Sequence, residues 1–167
     1  EQLLRGNIQN PKTPEEALGS FQVAPGFRVD LVASEPLVQD PVAFDWDAEG
    51  RIWEVEMRDY PLGLDGQGQP GGVVKVLDDG DGDGRMDRAT EFLTGVPFPS
   101  SVQPWRRGVL VTAAPQLFYA EDTDGDGRAD RRTEIVTGFK FTGNAADVHG
   151  PFLNPNGRLY WCHGRKG

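Results

Sequence analysis

The most constraining feature of this sequence is a repeated segment that is rich in aspartate and glycine. The stretch DGDGDGRMDRATEFLTGVPF begins at Asp79, and DTDGDGRADRRTEIVTGFKF begins 43 residues later, at Asp122. The aspartates, the glycines and the Thr-Glu pair that follows keep the same spacing in both copies. Self-similarity at a period of about 40 to 50 residues is typical of repeat architectures, so we expect one structural unit per repeat.

Short apolar runs between turn residues predict strands rather than helices. The chain has 22 Gly and 13 Pro in 167 residues, and its apolar runs are brief. The predicted strands are 42–44, 51–55, 73–77 and 90–93 in the first unit, 101–103, 108–113, 116–120 and 133–136 in the second, and a third unit from Val148. Four strands per repeat are typical of a propeller blade. We therefore predict an all-β fold, a β-propeller fragment of about three four-stranded blades.

The predicted domain boundaries follow from these strands. Residues 1–26 form an N-terminal extension, and residues 27–167 form the partial propeller, with blades at about 40–95, 98–140 and 145–167, the last one incomplete. In the extension, TPEE from Thr13 has the spacing of a capping box with proline at the first helical position, which predicts a short helix. The alternating stretch Phe27–Ala33 predicts a strand, at the place where a propeller commonly keeps the strand that completes its last blade.

The aspartates of the repeat have the spacing of calcium ligands. Positions 1, 3, 5 and 9 of each loop are Asp, position 6 is the Gly of a sharp turn, and position 7 offers a backbone carbonyl. The predicted ligands of Ca²⁺ are Asp79, Asp81, Asp83, Arg85 and Asp87 in the first loop, and Asp122, Asp124, Asp126, Arg128 and Asp130 in the second. The alternative is a solvated acidic turn that holds no ion.

The loops differ from an EF-hand. Thr90 and Thr133 stand where its bidentate Glu belongs, and the sequence predicts no flanking helices. The pattern D-x-D-x-D-G-x-x-D between strands looks like the hairpin calcium loops of integrin-type propellers. Both loops connect the third and fourth predicted strands of a blade (c–d hairpins), on the face opposite the longer b–c and d–a loops. We therefore expect calcium to stabilise the fold rather than to take part in catalysis.

The net charge of −9 is concentrated in the two loops. Eight aspartates lie there, so the rest of the chain is near −1. Nucleic-acid phosphates and anionic membrane surfaces need clustered Lys and Arg, so we expect neither as a partner. No run of about 18 apolar residues predicts a membrane span. Lacking an initiator Met and a signal peptide, the chain is expected to be a piece of a longer protein.

Two predictions concern the core. The single cysteine, Cys162, excludes an internal disulfide, and its alignment with Val55 predicts a core thiol. The four tryptophans are also expected to lie mainly in the blade core. They are Trp46, Trp53, Trp105 and Trp161.

The face opposite the acidic loops is predicted to carry the candidate catalytic residues. Aligning GRIWEVEMR with GRLYWCHGR puts chemically active side chains after the second strand of two units. The candidates are Glu56, Arg58, Asp147, His149 and His163, with Asp59, Asn144 and Arg165 nearby. A carboxylate, an arginine and two histidines around one cavity can perform general acid–base catalysis. The alternatives are an ion pair between Glu56 and Arg58 at the rim, and a His149 that only hydrogen-bonds a turn.

The chain from Thr13 to about Phe139 resembles a known family. TPEEALGSFQVAPGFRVDLVASEPLVQDPVAFDWDAEGRIWEVEMRDYP, followed by FPSSVQPWRRGVLVTAAPQLFYAEDTDGDGRADRRTEIVTGF, looks like the N-terminal propeller of the PVC-type membrane-bound dehydrogenases, large secreted haem-binding CxxCH proteins. The resemblance implies a fold related to the soluble quinoprotein sugar dehydrogenases, whose propeller holds pyrroloquinoline quinone and calcium with a histidine base. The segment from Gly157 to Tyr160 matches the family's DG-x-L-Y strand, with Asn156 where Asp is usual.

The resemblance also sets expectations for activity and location. It implies a sugar or alcohol substrate, a cytochrome c domain outside this chain, and a periplasmic or secreted protein. Cys162-His163 lacks the first cysteine of C-x-x-C-H, so no haem is expected here. Two functions compete: an extracytoplasmic quinoprotein-like dehydrogenase stabilised by calcium, and a non-catalytic calcium-stabilised propeller that binds glycan or protein.

Overall fold

The fold is built from three antiparallel sheets that follow one another along the chain. In a computed structural model, the described residues are 11–140 and 147–164. The sheets have four, four and two strands, and consecutive strands are hydrogen-bonded neighbours in each. The prediction of an all-β fold is confirmed. None of the helices described is long and apolar enough to cross a membrane.

The strands coincide closely with the predicted ones. Sheet A contains β1 (Pro41–Trp46), β2 (Ile52–Glu56), β3 (Gly72–Asp78) and β4 (Arg88–Val96). Sheet B contains β5 (Ser101–Trp105), β6 (Gly108–Ala113), β7 (Gln116–Glu121) and β8 (Arg131–Thr137). Sheet C contains β9 (Val148–Leu153) and β10 (Leu159–His163). The two acidic loops are the turns from β3 to β4 and from β7 to β8.

A single helix, α1 (Pro14–Leu18), lies in the described part of the chain. The Thr13 hydroxyl accepts the N–H of Glu16 at 3.2 Å, and the Glu16 carboxylate accepts the N–H of Thr13 at 2.9 Å. This reciprocal pair satisfies two donors that a helix start otherwise leaves without partners. The capping box therefore forms as predicted.

The strand predicted at Phe27–Ala33 is not formed. These residues have no regular secondary structure, and Phe27 is 77% exposed. A strand needs a neighbour that hydrogen-bonds its backbone groups in register, and no such strand lies beside this stretch in the described residues. Its backbone is bonded to the first acidic loop, where the carbonyl of Val32 accepts the N–H of Met86 at 2.8 Å.

The main core lies between sheets A and B. Trp53 and Val55 on β2 point toward sheet B, which contributes Val111 and Phe118. Trp53 also packs edge to face on Phe92 of β4, with ring centroids 4.7 Å apart. Because side chains alternate along a strand, every second residue of these buried strands enters this core.

Sheet B also packs on its other face. Leu110, Leu117 and Tyr119 form a smaller apolar cluster there, and Leu159 of sheet C packs against it. The three sheets therefore stack in chain order. Across the sheet boundaries, the first strand β5 contacts β1 on one side and β9 on the other.

Some predicted core residues lie at the surface. Trp53 is buried, but Trp46 is 53% exposed and Trp161 is 41% exposed. Cys162, predicted to be a core thiol, is exposed as well. Trp46 lies on the outer face of sheet A, and Trp161 and Cys162 lie on β10 of the two-stranded sheet C. Those positions are not covered by a further sheet in the part of the chain described.

Truncating a core aromatic tests this packing. Phe118 is fully buried, so Phe118→Ala is expected to lower the free energy of unfolding by about 3 to 5 kcal/mol. Phe152 is 63% exposed, so Phe152→Ala is the matched control and should change it by less than about 1 kcal/mol. Urea denaturation measures both, and equal losses would contradict the assignment of the core.

Candidate metal centres

Each acidic loop folds around its first aspartate. Asp79 accepts the N–H of Gly82 at 2.7 Å and of Gly84 at 2.9 Å. Asp122 accepts the N–H groups of the glycines at the same two positions, at 2.6 and 2.8 Å. Gly82 and Gly84 have φ values of 78° and 91°, which side-chain-bearing residues rarely adopt. The glycine spacing is therefore required by the turn itself.

Three carboxylates converge in each loop. They come from positions 1, 3 and 9 of the predicted calcium pattern, and one oxygen from each lies within 4.8 Å of the others. The clusters are Asp79, Asp81 and Asp87 in the first loop, and Asp122, Asp124 and Asp130 in the second. Carboxylate oxygens are the hard donors that Ca²⁺ prefers, so both clusters could hold a metal ion of this kind.

Position 5 is outside these clusters. Asp83 accepts the N–H of Arg85 at 2.7 Å, and Asp126 accepts the N–H of Arg128 at 2.8 Å. Each of these aspartates thus closes a local turn with the residue at position 7. A metal-ligand role for the carbonyls of Arg85 and Arg128 stays a prediction.

Hydrogen bonds keep the first aspartate of each loop ionised. The N–H of Gly84 lowers the pKa of Asp79, and the N–H of Gly127 lowers the pKa of Asp122. A backbone N–H stabilises the charged carboxylate more than the neutral acid. Asp79 and Asp122 therefore carry the negative charge that binds a cation.

Both loops are hydrogen-bonded to a segment outside their own sheet. In the second loop, the N–H of Ala129 donates to the carbonyl of Phe92 on β4, at 2.7 Å. In the first loop, the equivalent Met86 donates to Val32, in the segment 27–40 that we call the N-terminal strap. The second loop thus connects sheet B to the outermost strand of sheet A, and the first connects sheet A to the strap.

A cleft of about 790 Å³ lies between sheets A and B beside the second loop. Asp122 and Asp124 line it on one side, and Asp47 lines it on the other. Asp47 is held in place, because it accepts the indole N–H of Trp53 at 2.8 Å and the Nε–H of Arg51 at 2.7 Å. The second acidic loop therefore faces a polar cleft rather than a flat surface.

The predicted catalytic residues do not share one cavity, and Glu56 and Arg58 lie beside the strap. Glu56 is fully buried and accepts the Nε–H of Arg58 at 2.6 Å, the Nζ–H of Lys75 at 2.6 Å and the N–H of Gln39 at 2.6 Å. The ion pair between Glu56 and Arg58 is therefore present, with Glu56 buried beside the strap and Arg58 partly exposed.

His149 and His163 lie in sheet C. His149 lines a groove of about 560 Å³ formed by β1, β5 and β9, together with Asp45 and Ser101. His163 lies at the end of β10 and packs edge-on against Phe139, with ring centroids 5.3 Å apart. Of the candidates, His149 is the residue that the structure places in this groove between the first strands.

Two of the remaining candidates, Asp59 and Asp147, are buried and hydrogen-bonded to backbone groups. Asp59 is buried and accepts the N–H groups of Gly71 and Phe98 at 3.1 and 2.9 Å. Asp147 is buried, and its carbonyl accepts the N–H of Gly164 at 2.8 Å. Asn144 and Arg165 lie outside the described residues.

Sequence reasoning missed a second buried carboxyl, Glu54. It is 2% exposed, and neither of its carboxyl oxygens has a hydrogen-bond partner among the described residues. Burial, followed by the nearby Glu56, raises the pKa of Glu54 to about 8. Burial also acts on Glu56, but hydrogen bonds from Lys75 and Gln39 bring its pKa below the usual value. The i, i+2 spacing in WEVEM puts both carboxyls on one strand face, which was the available signal.

The fold and these clusters define an all-β protein of stacked antiparallel sheets with acidic groups that could bind a metal. A family model described as "Domain of unknown function (DUF7133)" matches residues 13–167. The chain therefore belongs to the DUF7133 family. No curated protein and no solved structure matches it.

Glu54 should make the free energy of unfolding fall as the pH rises. Its pKa rises from 4.5 in the unfolded chain to about 8 in the fold, so between these values the folded state keeps a proton that the unfolded state releases. Its contribution to stability is therefore complete below about pH 4.5 and is lost as the pH rises toward about 8, by at most about 1.4 kcal/mol per pH unit. Glu54→Gln should remove this slope in urea denaturation across that range.

The matched control is Glu134→Gln, at the position of sheet B equivalent to Glu91, because Glu134 is exposed and lies outside the charged group around Glu54. This variant should keep the wild-type slope. If Glu54→Gln and wild type showed the same slope, the raised pKa of Glu54 would be wrong.

Proposed function

We propose that this chain is part of an extracytoplasmic, calcium-binding β-propeller in which the acidic loops hold Ca²⁺ and tie neighbouring sheets together. One observation carries the proposal. Each loop combines three converging carboxylates with a backbone hydrogen bond to a segment outside its own sheet, from Ala129 in one loop and Met86 in the other. A cation that fixes the loop therefore also fixes the contact between the two chain segments.

The chemistry of the loops fits calcium. Ca²⁺ takes about six to eight oxygen ligands in flexible geometry, and one loop supplies three carboxylates, leaving the remaining places to carbonyls and water. Asp79, Asp81 and Asp87 would hold the first ion. Extracellular calcium modules bind in the range of about 10⁻⁴ to 10⁻³ M, which suits exposed loops and a periplasmic or secreted protein.

The arrangement of sheets supports a propeller. The sheets stack in chain order with their first strands adjacent, as blades do around a central axis. The position of the strap supports closure of the ring. The carbonyl of Val32 accepts the N–H of Met86 in the first loop, and the carbonyl of Phe92, on the outermost strand β4, accepts the N–H of the equivalent Ala129 in the second loop. By this equivalence, the strap occupies the place of an outermost strand in front of sheet A.

A quinoprotein-like dehydrogenase is the second candidate. It is favoured by the resemblance to the PVC-type membrane-bound dehydrogenases and by the position of His149 in the groove between β1, β5 and β9. It would oxidise a sugar or alcohol and pass electrons to a cytochrome c domain outside this chain.

The groove fits that cofactor only in part. Pyrroloquinoline quinone is a polycarboxylate, and such ligands are usually held by Arg or Lys. The described lining residues include His149 and Asp45 but neither Arg nor Lys. The groove thus offers a candidate base without the counter-charge for the quinone, and we derive no catalytic step through it.

Calcium should stabilise the chain. At a free Ca²⁺ concentration of about 100 times Kd, each site adds about 2.7 kcal/mol to the free energy of unfolding. Thermal melting with Ca²⁺ or a chelator measures this gain, which Asp79→Asn together with Asp122→Asn should abolish. Asp65→Asn is the matched control, because Asp65 closes a similar exposed turn by accepting the N–H groups of Gln67 and Gln69 outside the clusters. An unchanged midpoint with chelator would contradict calcium binding.

Reconstitution separates the two candidate functions. The longer protein that contains this chain is incubated with pyrroloquinoline quinone and Ca²⁺, and dye reduction is followed over a panel of sugars and alcohols. A dehydrogenase gives turnover and a bound-quinone spectrum, and His149→Gln lowers the turnover by about 100-fold or more if His149 is the base. No turnover and no quinone spectrum would leave the non-catalytic calcium-binding propeller.

A further inference from the structure

Three buried ionisable side chains lie between sheet A and the N-terminal strap, away from the acidic loops. Glu54 and Glu56 share one face of β2, and Lys75 on β3 is the direct cross-strand partner of Glu54. Their exposures are 2%, 0% and 5%. Buried charges are tolerated only where they are paired, so the pairing of these three groups decides how this region is held.

Lys75 and Glu56 hold the strap on the sheet. The Lys75 Nζ donates to the carbonyl of Leu37 at 2.7 Å and to Glu56 Oε1 at 2.6 Å. The same oxygen of Glu56 accepts the N–H of Gln39 at 2.6 Å. One ammonium group and one carboxylate therefore bind two backbone groups of the strap.

Glu54 is the member of the three that makes no hydrogen bond to the strap. Its Oε1 lies 3.9 Å from the Lys75 Nζ, and its oxygens accept no hydrogen bond from the described residues, although its protonated form can donate to the adjacent Glu56. Apolar side chains of the strap and of β1 share a groove of about 260 Å³ with it, including Val32, Val38 and Phe44.

The charged groups near Glu54 are few. They are Glu56 on β2, Lys75 on β3 and Arg58 after β2, with Glu91 on β4 placed 3.6 Å from Arg58. Lys75 Nζ lies 3.9 Å from the Glu54 carboxyl and has a larger electrostatic effect on Glu54 than Arg58 has, so Lys75 is the cation within reach of an ionised Glu54. Protonated Glu54 makes no such demand on it.

We propose that Glu54 is a proton-dependent switch for the N-terminal strap. When Glu54 is neutral, Lys75 stays on the carbonyl of Leu37 and the strap is held. When Glu54 ionises, its buried carboxylate draws the Lys75 ammonium away from Leu37, because an unpaired buried charge is costly. The strap then loosens from the outer face of sheet A.

Two amide hydrogens report on the strap directly. The N–H of Gln39 donates to Glu56, and the N–H of Met86 donates to Val32, so both exchange faster when the strap loosens. Protection factors remove the intrinsic effect of pH on exchange, and the amides of β6 report on whether sheet B stays folded. The whole chain is measured at one fixed Ca²⁺ concentration, which separates this switch from calcium binding.

In wild type, the Gln39 protection factor should fall about tenfold from about pH 6 to about pH 7 and level off above about pH 8, because Glu54 has a pKa of about 8 under the strap and returns to its ordinary pKa when the strap opens. In Glu54→Gln it should stay constant, and in Glu134→Gln, on the exposed strand β8 of sheet B, it should fall as in wild type. Glu54→Leu serves as the second variant if the amide side chain impairs folding, and it should also be constant with pH.

Lys75→Met should leave Gln39 poorly protected at both pH values while β6 stays protected. Three results would each overturn the switch. They are a wild-type Gln39 protection factor that is constant with pH, an equal fall in the Glu54 variants, and full protection of Gln39 in Lys75→Met.

Discussion

Like charges converge in the turns after β3 and β7, and the proposed role of calcium depends on this convergence. Three carboxylates approach within 4.8 Å in each turn, and backbone N–H groups keep the first of them ionised. Such a cluster is unfavourable alone and becomes favourable around a hard cation. Because Ala129 also bonds to β4, the state of the second turn is linked to the contact between sheets A and B. We propose that a cation in this turn stabilises that contact.

Sheet A is held on both faces, by different means. Its inner face packs apolar side chains such as Trp53 and Val55 against sheet B. Its outer face buries Glu54, Glu56 and Lys75 beneath the strap. The apolar packing of the inner contact does not itself respond to pH or ions, which can act on it only through the second acidic turn. The outer contact depends on charge pairing, so solution conditions can change it without unfolding the core.

Local patterns accounted for much of the fold and of the site. Glycine and proline residues between apolar runs predicted the strands, and the aspartate spacing predicted the carboxylates at positions 1, 3 and 9 that converge in both clusters. Spacing alone did not show that Asp83 and Asp126 would turn back to the N–H groups at position 7. It also did not show that Phe27–Ala33 would lack a partner strand, or that a strap would bury Glu54. Those outcomes depend on contacts between segments distant in sequence, which a local pattern does not encode.

The most direct measurement is hydrogen exchange at Ala129 with and without calcium. Its N–H joins the second acidic turn to Phe92 of the neighbouring sheet. If Ca²⁺ ties the sheets together, its addition slows exchange at Ala129, and Asp122→Asn removes that effect. Exchange at Ala129 that is the same in Ca²⁺ and in chelator would contradict the account.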